Sequence, residues 1–302
     1  MWLMERLLTD KLTRVDTGGG LLRAGMPKLI HIGMQRSGSS FLYNHFRSHP
    51  GISVSNPQET NFYSVHFEKG TQWYLNCFCG KGVPVDTSPK YFLNGPIVAP
   101  RIAEDVGADN AKLLLILRNP IDYAHSHFQF HMRSGYFNKR RDKYPNRTDG
   151  CFSEFIDRYP FYLDRAKYWS ILANSWLGWF PPESLKIVYF EHLICAPVHV
   201  LNSIYSWMGV EPVETKVENS LQNTALRGPF LYKVKRRLAK RESVKAFIRN
   251  SQLVSRIYQK LFTSSVEFND VDGRRRIASE LVGEVRQIET LTGREAPWTD
   301  FM

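Results

Sequence analysis

Residues 28–48, Lys28-Leu-Ile-His-Ile-Gly-Met-Gln-Arg-Ser-Gly-Ser-Ser-Phe-Leu-Tyr-Asn-His-Phe-Arg-Ser48, decide how the rest of the chain is read. An apolar run ends at Gly33, a tight loop follows to Gly38, and apolar residues then recur at helical spacing. The loop keeps the Gly-x-x-x-x-Gly frame of a phosphate cradle, but Ser39 stands where triphosphate hydrolysis needs a lysine. Backbone N–H groups from Arg36 to Ser40 and the positive end of the following helix can still hold an anion. Arg36 is the only cation of the loop.

Working outward, strands are expected at 28–33, 51–55, 82–86, 112–118 and 185–191, with helical segments between them. The helix from Ser39 to Ser48 should stop before Pro50-Gly51, because proline lacks the N–H needed to continue. This order predicts an α/β fold, a P-loop-like, mainly parallel sheet of about five strands flanked by helices, with ligands at the carboxyl ends of the strands. Residues 1–27 read as an N-terminal helix and a flexible linker through Thr17-Gly-Gly-Gly20, and residues 28–302 as one domain. The polar, basic stretch 134–150 reads as a loop over the acceptor, and 152–180 as aromatic packing helices. Near the end, Ile277, Leu281, Val282, Val285, Ile288 and Leu291 form an apolar helical stripe stopped by Gly293.

The 302-residue chain is 43% hydrophobic and carries a formal charge of +11. That charge is concentrated: eleven Lys or Arg stand against Glu242 alone between Arg227 and Lys260. Such a strip suits an anionic substrate or an anionic surface. Its aromatics are too dispersed for a base-stacking platform, so no specific nucleic-acid partner is expected. No apolar run reaches the roughly 18 residues of a membrane span. The first ten residues lack the pattern of a signal peptide, and a cytoplasmic location is expected. Four cysteines are too few for a disulfide scaffold, and neither Cys77-Phe-Cys79 nor His127 with His131 completes a metal set.

A second motif, Leu113-Leu-Leu-Ile-Leu-Arg118-Asn119-Pro120-Ile-Asp122-Tyr-Ala-His-Ser126, joins the first in a recognisable order. Together they resemble the two cofactor-binding motifs of sulfotransferases that use 3′-phosphoadenosine 5′-phosphosulfate (PAPS). The resemblance implies that Arg36, Ser37, Gly38, Ser39 and Ser40 hold the 5′-phosphosulfate, while Arg118 and Ser126 hold the 3′-phosphate. It also implies adenosine 3′,5′-bisphosphate as product and no requirement for a metal. Sulfuryl transfer needs a positive cradle for the leaving phosphate and a base for the nucleophile. In the glycan-type and tyrosyl-protein-type branches a Glu shortly after the first helix removes the acceptor proton, and Glu59 falls at the matching place. Gln58 replaces the Lys that often precedes it.

Asp86-Thr-Ser-Pro-Lys90-Tyr-Phe resembles a substrate-side segment of glycan-type and bacterial members, with Asp86 and Lys90 placed to meet the acceptor. A carbohydrate or glycoconjugate is therefore the expected acceptor, its hydroxyl or amine attacking in line. The phenol-acting branch uses a histidine base, which keeps His31, His66 and His125 in view. A further basic loop of the cofactor site could come from 226–229 or 272–276, neither of which matches cleanly. Two other classes stay open: a P-loop nucleotide kinase or NTPase, and a non-catalytic module binding polyanions or membranes through 227–260.

Overall fold

The computed structural model of the protein describes residues 25–134, 152–213, 225–226, 263–264 and 271–302. The N-terminal helix and the linker as far as residue 24, the 135–150 loop and the whole basic strip 227–260 lie outside the described residues.

Five parallel strands, β1 (Leu29–Gly33), β2 (Ile52–Val54), β3 (Val83–Thr87), β4 (Lys112–Leu117) and β5 (Leu185–Tyr189), line up in the order β2-β3-β1-β4-β5. Each matches an expected strand to within two residues. The central pair is apolar on both faces, and Leu113 to Leu117 are all but excluded from solvent, as a doubly covered parallel sheet requires. Pairing sets Ile30 opposite Asp86 and Leu113, and His31 opposite Thr87 and Leu114.

The described helices are α1 (Ser39–Ser48), α2 (Gly70–Leu75), α3 (Gly95–Val106), α4 (Pro120–Ser134), α5 (Phe152–Arg158), α6 (Phe161–Asp164), α7 (Tyr168–Ser175), α8 (Phe190–Cys195), α9 (Pro197–Met208) and α10 (Val271–Thr292). Helix α1 buries Phe41, Leu42 and Phe46 and ends where His49 turns extended, as the Pro50-Gly51 signal requires. Along α10, Ile277, Leu281, Val285 and Ile288 are buried, but Val282 is 39% exposed. The correction is geometric: Val282 directly follows Leu281, so a turn of about 100° carries it off the stripe.

The chain divides into two units. The first holds the sheet, through residues 1–119, 167–218 and 282–302. The second comprises 120–166 and 219–281. Within the second, Phe128 packs on Phe152 and Phe155, and Tyr162 reaches His131 at 2.5 Å. Asp122 there accepts from Arg274 at 2.8 Å, and Asp157 from Arg276 at 2.6 Å. His127 lies 3.3 Å from the Arg165 guanidinium, so His127 and His131 of α4 serve packing within this unit. The short strands Ala225–Leu226 (β6) and Thr263–Ser264 (β7) pair antiparallel in this unit. No described helix is long and apolar enough to cross a membrane.

His31 lies on β1 with no exposure, and burial draws its imidazole down to about 4 from 6.5, the Gly33 backbone offsetting only part of the effect. The unfolded chain therefore takes up a proton near pH 6.5 that the folded chain refuses until about 4. The stability His31 contributes is complete above pH 6.5 and is lost as pH falls through that window. We expect wild type to lose about 3 kcal/mol more than His31→Leu on acidification across it, measured by urea unfolding. Parallel pH profiles for the two proteins would contradict the assignment.

Candidate active site

Three neighbouring strands, β3, β1 and β4, bring their carboxyl ends to one corner of the first unit. From β1 comes the Gly33–Gly38 loop. Its first turn is bonded to β4, the Met34 N–H donating to the Ile116 carbonyl at 2.9 Å. A side chain at Gly33 would approach the Phe92 Cβ to 2.7 Å, so this residue must be small. At the far end Gly38 takes φ 89°, a left-handed conformation that glycine adopts without penalty, and packs against Phe190 and Leu193 of α8. Arg36 also adopts a positive φ, 67°, which is unusual for a residue with a Cβ and bends the loop tightly at its only cation. Ser37 is fully buried and its hydroxyl finds no partner among the described residues, a polar atom placed to meet a ligand. Ser39 is half-buried and Ser40 exposed, at the first turn of α1.

From β4 comes Arg118. Its Nη1 donates to the Arg36 carbonyl at 3.5 Å, and its guanidinium stands 5.2 Å from the centre of the Phe190 ring. The two motifs thus meet, with one arginine from each at a shared corner. Ser126, expected on the 3′-phosphate, is half-buried on α4 in the second unit.

The support around Arg118 was not foreseen. Its carbonyl accepts from the Tyr168 hydroxyl at 3.0 Å. Glu191, on the first turn of α8, accepts from the Asn119 N–H and the Trp298 indole N–H, each at 2.9 Å. Asn119 donates further to Asp300 at 2.7 Å. One carboxylate therefore ties the Arg-Asn-Pro turn to the last residues of the chain.

From β3 comes the acidic part. Glu59 and Lys90, picked separately for proton removal and for acceptor contact, form an ion pair at 3.5 Å with both side chains partly exposed. Asp86 behaves differently. It is completely buried, and its carboxylate accepts from Ser88 at 2.7 Å, Tyr74 at 2.8 Å, Thr60 at 2.9 Å and Tyr91 at 3.0 Å. Burial raises its pKa, and donation from these hydroxyls opposes the rise. The expected contact of Asp86 with an acceptor is thus corrected: the carboxylate faces protein hydroxyls and works as a hub. Through Thr60 it holds the residue after Glu59; through Ser88 and Tyr91 it holds the turn carrying Lys90. Thr87 adds a bond to the Gln58 carbonyl at 2.8 Å.

The histidines lie elsewhere. His31 is sealed in the sheet, His66 packs edge-on to Trp73 at 5.6 Å, and His125 is buried beside Phe152 in the second unit. Neither C-terminal loop candidate is settled as part of the site. Residues 227–229 fall outside the described residues, while Arg274 and Arg276 are paired with Asp122 and Asp157.

A parallel sheet whose central strand ends in a glycine-bounded loop, flanked by an arginine turn and a carboxylate, is an α/β fold of the P-loop-like kind. Comparison with known proteins gives the family: the sulfotransferase domain profile matches residues 26–268. The chain belongs to the sulfotransferase family of transferases. Among its relatives, the mouse bifunctional heparan sulfate N-deacetylase/N-sulfotransferase 3 is 28% identical over 208 residues, covering 62% of this chain and 23% of that protein. The Caenorhabditis elegans bifunctional heparan sulfate N-deacetylase/N-sulfotransferase 1 is 27% identical over 214 residues, covering 66% of this chain and 24% of that protein. The chain therefore spans about a quarter of the length of these curated relatives. A solved sulfotransferase from Alicyclobacillus acidocaldarius shares the fold, with TM-score 0.58 and 19% identity over 90% of this chain and 97% of that one.

Proposed function

We propose that this protein transfers the sulfuryl group of PAPS to a hydroxyl or amine of a carbohydrate or glycoconjugate, by in-line displacement with Glu59 as general base. The convergence of Arg36 and Arg118 on one loop, with an unsatisfied Ser37 hydroxyl beside them, is the observation that carries it. Loop N–H groups and Arg36 would hold the 5′-phosphosulfate, with Arg118 and Ser126 on the 3′-phosphate. The acceptor atom attacks sulfur, the bond from sulfur to the phosphate oxygen breaks, and adenosine 3′,5′-bisphosphate departs. Glu59 takes the acceptor proton, and Arg36 stabilises the charge growing on the phosphate. Lys90, 3.5 Å from Glu59, helps hold the carboxylate in position. The heparan sulfate relatives and the Glu59 position support a sugar acceptor, and residues 28–302 are read as one functional domain.

The test is transfer of labelled sulfate from PAPS to pooled glycans, glycolipids and phenols. Arg36→Ala should lower turnover about a hundredfold, as expected for losing one donor to the developing charge. Arg118→Ala should mainly weaken the affinity for adenosine 3′,5′-bisphosphate, by about tenfold for one charge-assisted contact. Stabilisation by magnesium-ATP alone, with none by the bisphosphate, would assign the loop to triphosphate chemistry instead.

A further inference from the structure

A second cavity in the first unit, of about 600 Å³, runs along the open edge of β5. It is lined by all of β5 together with residues of α8, α9 and the end of α10. The charged and titratable lining is Lys186, His192, His199 and Arg294, with Tyr189 and Cys195, and no acid is among the described lining residues. Two further cations stand behind Lys186. Lys112 donates to the Trp207 carbonyl and lies 5.1 Å from the centre of that indole, over which Lys186 also sits at 5.7 Å. Lys28 directly precedes β1, the strand next to β4.

These charges are uncompensated. None of Lys28, Lys112, Lys186 and Arg294 makes an ion pair among the described residues. The nearby acids are engaged elsewhere, Glu289 by Arg286 and the Ala296 N–H, Glu191 by Asn119 and Trp298. Burial lowers the pKa of Lys186, and repulsion from Arg294 and Lys112 lowers it further; burial and Lys28 do the same to Lys112. Lys112 and Lys186 are half-buried while Lys28 and Arg294 are exposed, and like charges held close together cost stability until an anion arrives.

We infer that the β5-edge cavity is a second anion-binding site, taking an acidic saccharide whose sulfate or carboxylate groups meet Lys186 and Arg294. Its volume suits a sugar-sized ligand, and Tyr189, Leu185 and Val200 offer apolar surface for the ring. Strand β4 stands between this edge and β1, the strand that ends in the phosphate loop. The saccharide identity rests on the proposed function; the anion chemistry does not.

Calorimetric titration of the full chain with a sulfated tetrasaccharide tests the site. Binding should fall about tenfold or more in Lys186→Gln, the loss of one charge-assisted contact. It should persist in Arg36→Ala, whose defect lies at the loop. Arg294→Gln should act similarly, but Arg294 also bonds the Ile187 carbonyl at 2.9 Å, so Lys186→Glu serves as the second variant. A tetrasaccharide lacking both sulfate and carboxylate groups should not bind measurably at this site. Unchanged binding in both Lys186 variants overturns the inference while leaving the transfer reaction untouched. Lys186-dependent binding in a protein that transfers no sulfate would retain the site and reject the reaction. Equal affinity for inorganic sulfate, or Lys186-dependent capture by phosphatidylserine vesicles without saccharide binding, would overturn the saccharide assignment.

Discussion

Glu59→Gln is expected to reduce sulfate transfer about a thousandfold, within the range for losing a positioned general base. The change keeps the size of the side chain and removes only its ability to take a proton. Glu59 is about one-third exposed, and its partner Lys90 is more so, so the ion pair adds little to stability. Melting temperature should therefore stay within about 2 °C while turnover collapses. Lys90→Ala serves as the control for geometry: it should leave the base present but less well held, with a smaller loss than Glu59→Gln. Full activity in Glu59→Gln would remove the carboxylate from the proton path. His66 would then be the histidine to replace next, since His31 is sealed within the sheet.

Asp86→Ala is expected to act in the opposite manner, through stability first. Four hydroxyls converge on its carboxylate in a region without solvent. Removing it strands them, although Thr60 also lies 3.2 Å from Ser88 and 3.1 Å from Tyr91 and recovers part of the loss. The net cost should be about 3 kcal/mol, since each stranded buried group carries a desolvation penalty and release of a buried charge offsets some of it. Urea unfolding measures this directly. Activity should fall as well, because the segment carrying Glu59 and the turn carrying Lys90 lose their common anchor. A cost below about 1 kcal/mol would mean that the hub is dispensable.

The strands were legible because long apolar runs such as Leu113–Leu117 can be little else in a chain this rich in turn signals. The loop was legible because its glycine spacing carries a backbone requirement, one that Gly38 meets with its positive φ. Glu59 and Lys90 could be chosen one at a time, but their pairing could not, because it depends on how two loops fold onto β3. The Asp86 hub was misread for the same reason. Its partners stand 2, 5, 12 and 26 residues away, and no local spacing tells a carboxylate that meets solvent from one that meets four hydroxyls. Glu191 was missed entirely, as its two donors lie 72 and 107 residues from it. An acid at the first turn of a helix directly after a strand is a signal that could have drawn attention to it.

The Glu191 tie also bears on the order in which the molecule is assembled. The arginine turn after β4 leaves the ribosome long before Glu191 and Asp300, yet its Asn119 N–H donates to the first and its Asn119 side chain to the second, 72 and 181 residues on. Sheet and loop can form during synthesis, but the donor corner is finished only when translation reaches residue 300.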